Sequence, residues 1–173
     1  MIYRTYIQQL FNDGTSYTKG PVVDLLQSFN IVCQEIPFKT NLKTKNVATR
    51  SWFDEDGIDA YIPKDIKIDQ NDMKVDFLYQ GTEQNIRTDI SNFLKFILGR
   101  NQDAVGSELA IYNELTGSGR KNVIVKEVSD KIYFISDFDP DSVASFSVIF
   151  TVFDPVTEVT PVYTNNIVTD LNF

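Results

Sequence analysis

The 173-residue chain contains no histidine and a single cysteine, Cys33. Without histidine it cannot form a Cys/His zinc site, and it lacks the commonest general base and the Ser-His and Cys-His nucleophile pairs. One cysteine excludes a disulfide within the chain, and no base that could activate the thiol is evident beside it. These absences argue against an enzyme and against a zinc protein.

Long apolar runs and positive charge are also scarce. No run of about 18 apolar residues occurs, so the sequence predicts no membrane-spanning helix, and the N-terminus lacks the apolar stretch of a signal peptide. Acidic residues number 24 against 16 basic ones, for a formal net charge of −8, which disfavours attraction to nucleic-acid phosphates. We expect a chain made in a cytoplasm that stays in solution unless an assembly carries it out.

Aromatic residues are plentiful, with 13 Phe and 8 Tyr, and this enrichment favours strands. Alternation of apolar and polar residues predicts a strand that contains Met73, Val75, Phe77 and Tyr79. The same period predicts four later strands, and in the last of them Phe146, Val148, Phe150 and Val152 share one side. These four segments are residues 108–115, 121–129, 131–138 and 142–154.

One helix is predicted over residues 83–98, with Thr82 as its N-cap and Gly99 just past its end. Its predicted apolar face consists of Ile86, Ile90, Phe93, Leu94, Ile97 and Leu98. So wide an apolar stripe needs a sheet to cover. The predicted fold is therefore mainly β, an antiparallel β-sandwich or barrel with one amphipathic α-helix packed across it.

The length fits one domain over residues 1–173. We divide it into an N-terminal segment (1–46), a β core (47–155) and an extended C-terminal arm (156–173). The first residues fit either a strand or a helical turn. Residues 38–50 are polar and without period, which predicts a long loop.

Residues 51–63, SWFDEDGIDAYIP, combine acidic and aromatic side chains. The members of interest are Trp52, Phe53, Asp54, Glu55, Asp56, Asp59 and Tyr61. An EF-hand would need glycine at position 6, but counting from Asp54 the glycine stands at position 4. The acids also lack the separated environments that acid/base catalysis requires. Asp56-Gly57 favours a turn between two strands, with adventitious calcium as a lesser alternative.

Two other segments resemble ligand-binding loops, one for calcium and one for phosphate, but the surrounding sequence disfavours both. Residues 137–142 bring together Asp137, Asp139 and Asp141, and turn chemistry is preferred there over a calcium site. Residues 116–121, TGSGRK, carry two glycines and two bases. A phosphate-binding loop would need the full GxxxxGK[ST] pattern between a strand and a helix, whereas here strands are predicted on both sides.

The order of these elements resembles the tail-tube-like domain of phage distal tail proteins and of long-tailed phage tube proteins. The stretches that carry the resemblance, within about residues 47–155, are VDFLYQG, IRTDISNFLKFILG, ELAIYN, GRKNVIVKEVS and SVIFTVFDP. The SWFDEDGIDAYIP stretch also resembles a segment of small phage tail or neck proteins.

The resemblance implies a structural virion protein without catalytic residues or cofactors, made in the bacterial host cytoplasm and located in the virion tail. It implies a six-fold ring that joins the tail tube to the baseplate hub or closes the tube. Distal, tube, terminator and neck positions remain open. The implied partners are other copies and neighbouring tail tube, baseplate hub or neck proteins, with DNA passing through the lumen unbound and no membrane contact.

A net negative charge suits a channel for DNA, because like charge removes phosphate attraction. The acidic residues of both turns, with Trp52 and Tyr61, are therefore candidates for a lumen or a subunit boundary. The loop at 38–50 and the arm at 156–173 are candidates for extending a neighbour's sheet. The alternative is a monomeric carbohydrate- or protein-binding β-sandwich with Trp52, Phe53 and Tyr61 as an aromatic platform.

Overall fold

The structure is a computed structural model that describes residues 3–35, 43–54, 56–82, 84–129 and 144–173. The predicted mainly β class is confirmed, with a large antiparallel sheet and few helices. The strands are β1 (Thr5–Asn12), β2 (Tyr17–Asp24), β3 (Ile31–Glu35), β4 (Thr49–Arg50), β5 (Asp59–Ala60), β6 (Asn71–Tyr79), β7 (Glu108–Asn113), β8 (Ser118–Val128), β9 (Ala144–Val152), β10 (Thr160–Thr164) and β11 (Ile167–Asn172). The helices are α1 (Leu25–Phe29) and α2 (Ile86–Ile97).

Seven strands form the main sheet in the order β2-β1-β7-β8-β9-β6-β3, with every neighbouring pair antiparallel. Laid flat, such a sheet would hold its edge strands about 29 Å apart. Yet β2 and β3 are joined only by α1, whose five residues span about 7.5 Å. The sheet must therefore curl until its edges approach. Among the described residues those edges do not pair, so the curled sheet is not a closed barrel.

The inner face of the curled sheet is filled by aromatic and aliphatic side chains under α2. Phe93 of α2 is fully buried, with its ring centroid 5.1 Å from Phe77 of β6 and 5.9 Å from Phe146 of β9. Phe29 of α1 joins the same cluster, 5.7 Å from Phe93. The predicted packing of one amphipathic helix across the sheet is confirmed, as is the predicted alternation of β6 and β9.

The start of α2 differs from the prediction. The helix begins at Ile86 rather than at residue 83, and its N-cap is Asn85, whose side chain makes no capping hydrogen bond. The Thr82 carbonyl instead accepts a hydrogen bond from the Asn85 N–H at 3.0 Å, which forms a turn before the helix. At the other end Gly99 has φ +64°, the left-handed conformation predicted for the residue after the helix.

The buried face of α2 also differs from the predicted one. Phe96 is buried, although the prediction left it out. Leu94 is half-buried and Leu98 is 38 % exposed, although both were assigned to the core. The curled sheet contacts α2 from the side of Phe93 and Phe96, so the edge marked by Leu94 and Leu98 is left outside.

The expected extended C-terminal arm is wrong. Residues 160–172 form the hairpin β10–β11, which packs on the outer face of β1, β2 and β7. Its turn is Asn165-Asn166 with φ 51° and 62°, a pair of left-handed residues of the kind that two-residue hairpins prefer. Val168 and Leu171 are buried against Tyr6 and other residues of this second core. The two residues are three positions apart, and a register shift in the hairpin between them lets both be buried. Their burial is the reason the segment does not project.

Two adjacent glutamines fix the layers on opposite faces of β1. Gln9, 1 % exposed, donates to the Phe96 carbonyl (2.6 Å) and the Asn101 side chain (2.8 Å), which anchors the end of α2. Gln8, 2 % exposed, donates to Asp170 of β11 (3.0 Å). Successive strand residues point to opposite faces, so one dipeptide serves both layers.

The Asp170 carboxylate is a charged anchor of the outer hairpin. Partial burial raises its pKa, but hydrogen bonds from Gln8, from Lys19 and from its neighbouring backbone amide outweigh that effect and hold the pKa below its usual value. The Lys19 ammonium lies 3.1 Å from it. The hairpin is therefore attached to β1 and β2 by polar contacts as well as by its apolar side.

The N-terminal segment contributes β1, β2 and β3 to the sheet, together with α1. The strand-or-turn alternative for the first residues is therefore decided in favour of a strand. The strands predicted on both sides of residues 116–121 are confirmed by the antiparallel pairing of β7 with β8. The connection is shorter than predicted, because β8 already begins at Ser118, and Gly117 within it has φ +63°. The strand predicted over residues 131–138 lies outside the described residues.

Candidate functional site: an exposed hairpin arm

Residues 43–54 and 56–69 form a two-stranded antiparallel arm that precedes β6. Its base is marked by a bridge between Thr44 and Ile68, and β4 pairs with β5 nearer the tip. Backbone hydrogen bonds continue the ladder, from the Lys45 N–H to the Lys67 carbonyl (2.8 Å) and from the Tyr61 N–H to the Ala48 carbonyl (2.9 Å). From residue 44 to residue 50 such a ladder spans about 20 Å.

None of the described residues in the arm is buried. Among the described residues, fourteen large apolar side chains are exposed, and six of them lie on the arm. The six are Trp52, Phe53, Ile58, Tyr61, Ile62 and Ile66. An isolated two-stranded hairpin is marginal in water, and concentrated exposed apolar surface is typical of interaction sites. The arm therefore has the character of an element that another surface covers.

The acidic stretch forms the tip of this arm. Residues 51–58 connect β4 to β5, and Gly57 has φ +104°. The predicted turn between two strands is confirmed, although the connection is longer than a tight two-residue turn. Asp54 and Asp56 are exposed at the tip, whereas Glu55 lies outside the described residues.

Local contacts order part of the tip. The Trp52 indole N–H donates to the Asp59 carboxylate at 3.2 Å. The Arg50 guanidinium carbon lies 3.4 Å from the centroid of the Trp52 ring, a cation–π arrangement. Phe53 makes no comparable contact in the described part of the chain and is fully exposed. The tip thus presents a partly fixed indole, a free phenyl ring and a cluster of carboxylates.

The remaining acidic candidates cannot be located on this surface. Asp137, Asp139 and Asp141 lie outside the described residues, so their assignment to a lumen or boundary stays a prediction. Within the described ranges, no group of three or more acidic or cysteine residues is placed to hold a metal ion. Neither helix of the described ranges has the length and apolarity needed to cross a membrane.

Cys33 lies in β3 against the inner core. Burial raises the pKa of its thiol to about 12, despite a hydrogen bond with Thr5 that lowers it. The thiol therefore stays protonated near neutral pH, and a thiolate nucleophile is disfavoured at this position.

A polar cavity of about 550 Å³ lies where β1 meets the end of β2. Its charged side chains are held by partners that also line the cavity. Arg4 pairs with Asp24 at 2.5 Å, and Glu114 accepts hydrogen bonds from the Tyr6 hydroxyl (3.1 Å) and the Arg4 N–H (2.9 Å). Asp24 also caps α1. These groups stabilise the junction of the two strands and α1.

Sequence reasoning placed the tip but missed the arm. The loop at 38–50 was expected to be unpaired, whereas residues 43–50 form one side of the ladder. Apolar and polar residues alternate along a strand when one of its faces is buried. Neither face of the arm is buried, so its strands carry no such pattern. The one available signal was the turn sequence itself, which implies a strand on each side.

No protein-family model matches the chain, and no curated protein matches it. Among solved structures, its fold is similar to that of the SPP1 Dit protein (gp 19.1), described as a paradigm of the hub adsorption apparatus in phages that infect Gram-positive bacteria. The TM-score is 0.52, with 16 % sequence identity over 90 % of this chain. The chain spans about half, 52 %, of that structure's length.

This similarity shows a shared fold. The resemblance first suggested by the order of elements is thereby confirmed at the level of a phage tail-related fold. The comparison does not extend to the other half of the Dit chain.

Proposed function

We propose that this chain is a structural protein of a phage tail, located in the virion, whose copies assemble into a ring. The single observation that carries the proposal is the similarity of its fold to the SPP1 Dit hub protein over 90 % of the chain. A hexameric ring at the junction of tail tube and baseplate is the arrangement we favour. Its partners would be further copies of itself and the adjoining tail tube, baseplate hub or neck proteins.

Two features of the described residues support an assembly role. The arm exposes apolar side chains that a monomer leaves in water. The edge strands β2 and β3 each pair on one side only within the described sheet, which leaves backbone groups that a neighbour's strand can bond. A ring subunit needs two different contact surfaces that close by rotation, and the arm and the sheet edges supply candidates for both.

The proposed role involves no catalysis. The chain lacks histidine. In the polar cavity beside β1, Arg4 is paired with Asp24, and Glu114 is held by hydrogen bonds from the Tyr6 hydroxyl and the Arg4 backbone N–H. The net charge of −8 fits a ring through which DNA passes without binding. In this proposal the carboxylates of the arm and those at 137–141 face a lumen or a subunit boundary.

Native mass spectrometry of the full chain over a range of concentrations tests the proposal. We expect a closed oligomer, with six copies favoured, and negative-stain images of rings with a central opening. A protein that remains monomeric at the highest attainable concentration would contradict it. Antibody labelling of purified virions then locates the ring along the tail.

A second candidate function is a monomeric carbohydrate- or protein-binding module, favoured by Trp52, Phe53 and Tyr61 on one exposed arm. A monomer retained on a glycan column, and released when Trp52 and Tyr61 are replaced by alanine, would support it. Assembly into rings without glycan retention would reject it.

A further inference from the structure

A shallow apolar groove runs along the outer side of α2. Its floor is formed by Ile86, Ile90, Leu94 and Leu98, which follow at intervals of four residues and therefore line one side of the helix. The groove has a volume of about 430 Å³. Ile86 and Ile90 are buried at its bottom, and its accessible apolar surface comes from Leu98, which is 38 % exposed, and from half-buried Leu94.

The rim of this groove is basic. Arg87, Lys95 and Arg100 line it, and all three are exposed. No acidic side chain is among the described residues that line the groove. The one carboxylate in the first turn of α2, Asp89, is directed elsewhere, because it accepts hydrogen bonds from Tyr79 (2.8 Å) and Asn30 (3.1 Å). A chain of net charge −8 thus concentrates three cations around an apolar surface.

The tip of the arm is complementary to this groove both in its apolar surface and in the sign of its charge. It carries Trp52 and Phe53, which are large, apolar and exposed, and beside them the carboxylates Asp54 and Asp56. Opposite charges around an apolar contact determine orientation and exclude wrong partners. Tip and groove are both exposed within one copy, so the tip does not occupy the groove of its own chain.

We propose that the arm tip of one copy docks on the α2 groove of a second copy, an inference that rests on the ring assembly proposed above. Because tip and groove are different surfaces, each copy offers one and accepts the other. Such a head-to-tail contact closes into a ring when the rotation permits and otherwise grows into a filament. The apolar side chains supply the buried contact, and the charges fix its register.

Charge-swapped variants of the full chain test this pairing. The tip variant carries Asp54→Lys and Asp56→Lys, and the groove variant carries Arg87→Glu and Lys95→Glu. Either variant alone brings like charges together at every contact, and we expect its self-association to weaken by about 100-fold or more. A 1:1 mixture restores an opposite-charge pair at every contact, provided that the two variants alternate. We therefore expect the mixture to assemble, and only into rings with an even number of copies.

Matched controls use exposed charges at the base of the arm, Asp65→Lys and Lys64→Glu. These reversals should leave assembly unchanged. All the substituted side chains are exposed, so we expect every variant to keep its fold. Circular dichroism of each variant as a monomer checks this.

A spectroscopic readout follows from the position of the sole tryptophan at the tip. On assembly its fluorescence should shift to shorter wavelength as the indole leaves water, and the shift should be absent in the groove variant. Phe53→Ser should weaken association by about tenfold, the size expected for losing one partly buried aromatic contact, without changing monomer stability.

The outcomes separate this pairing from the ring itself. Wild-type assembly that neither variant weakens overturns the pairing and leaves the ring function standing. Loss of assembly in the groove variant without recovery on mixing assigns the groove to a different partner and likewise overturns the pairing. If the groove variant lowers the stability of the monomer but leaves self-association unchanged, the groove packs on residues of its own chain. That result also overturns the pairing. A wild-type protein that never assembles refutes the ring and the docking together.

Discussion

Replacing Phe93 by alanine tests the central structural feature, a helix that seals the inner face of a curled sheet. Phe93 is fully buried and lies within 6 Å of three other phenyl rings by centroid distance. Phe→Ala changes at such sites cost about 3–5 kcal/mol, because the transfer free energy is lost and a cavity remains. For a chain of this size, about 2–4 °C per kcal/mol gives a fall in Tm of roughly 6–20 °C.

The measurement is urea unfolding followed by circular dichroism at concentrations where the chain is monomeric. The midpoint should fall while the slope stays constant, since the surface exposed on unfolding barely changes. Phe53→Ala is the matched control, because Phe53 is fully exposed, and it should change the free energy of unfolding by less than about 0.5 kcal/mol. A Phe93→Ala cost below about 1 kcal/mol, or equal to that of the control, would refute the packing of α2 on the sheet.

Three further predictions concern the outer contacts. Gln9→Ala should destabilise the chain by about 1–3 kcal/mol in urea unfolding, because the buried hydrogen bonds that its amide donates to the Phe96 carbonyl and the Asn101 side chain are lost; the exposed Gln102→Ala is the control, and equal effects would contradict the anchor. The depressed pKa of Asp170 means that its carboxylate contributes stability above about pH 4 that is lost as pH falls through the folded pKa. Asp170→Asn should therefore reduce stability at pH 7 and flatten its acid dependence, by under about 1 kcal/mol since the group is 39 % exposed; a thermal-melt series with unaltered pH dependence would argue against it. Asn166→Ala should cost about 1 kcal/mol at φ 62° whereas Asn166→Gly should not, and melts in which both variants match the wild type would exclude a strained turn.

The sequence alone was sufficient for the class of the fold and for its clearest elements. Alternation in β6 and β9 predicted strands and the correct inward sides, because each has one face in the core. The apolar stripe of α2 predicted a helix on a sheet, and Asp56-Gly57 predicted the turn at the arm tip. These features follow from local periodicity and turn chemistry, which neighbouring residues determine.

Other features depended on contacts between distant residues. The start of α2 was misplaced because a turn at Thr82 and Asn85 precedes it, and its buried edge was misassigned because only the sheet decides which side is covered. The arm was missed since neither of its faces is buried. The C-terminal hairpin was expected to project, whereas the outer face of β1 and β7 gives Leu171 a surface on which to pack.

The sequence by itself thus determined that this chain is acidic and mainly β, with one sheet-covering helix and an acidic aromatic turn. Only the tertiary structure decided that α1 draws the two edges of the sheet together and that this turn lies at the end of an exposed arm. It also decided that α2 has, on its outer side, an apolar groove with a basic rim. Local patterns determine which residues are apolar on one face of a strand or helix. The order and curl of the strands determine which of those faces are buried, and therefore which surfaces remain exposed to other molecules.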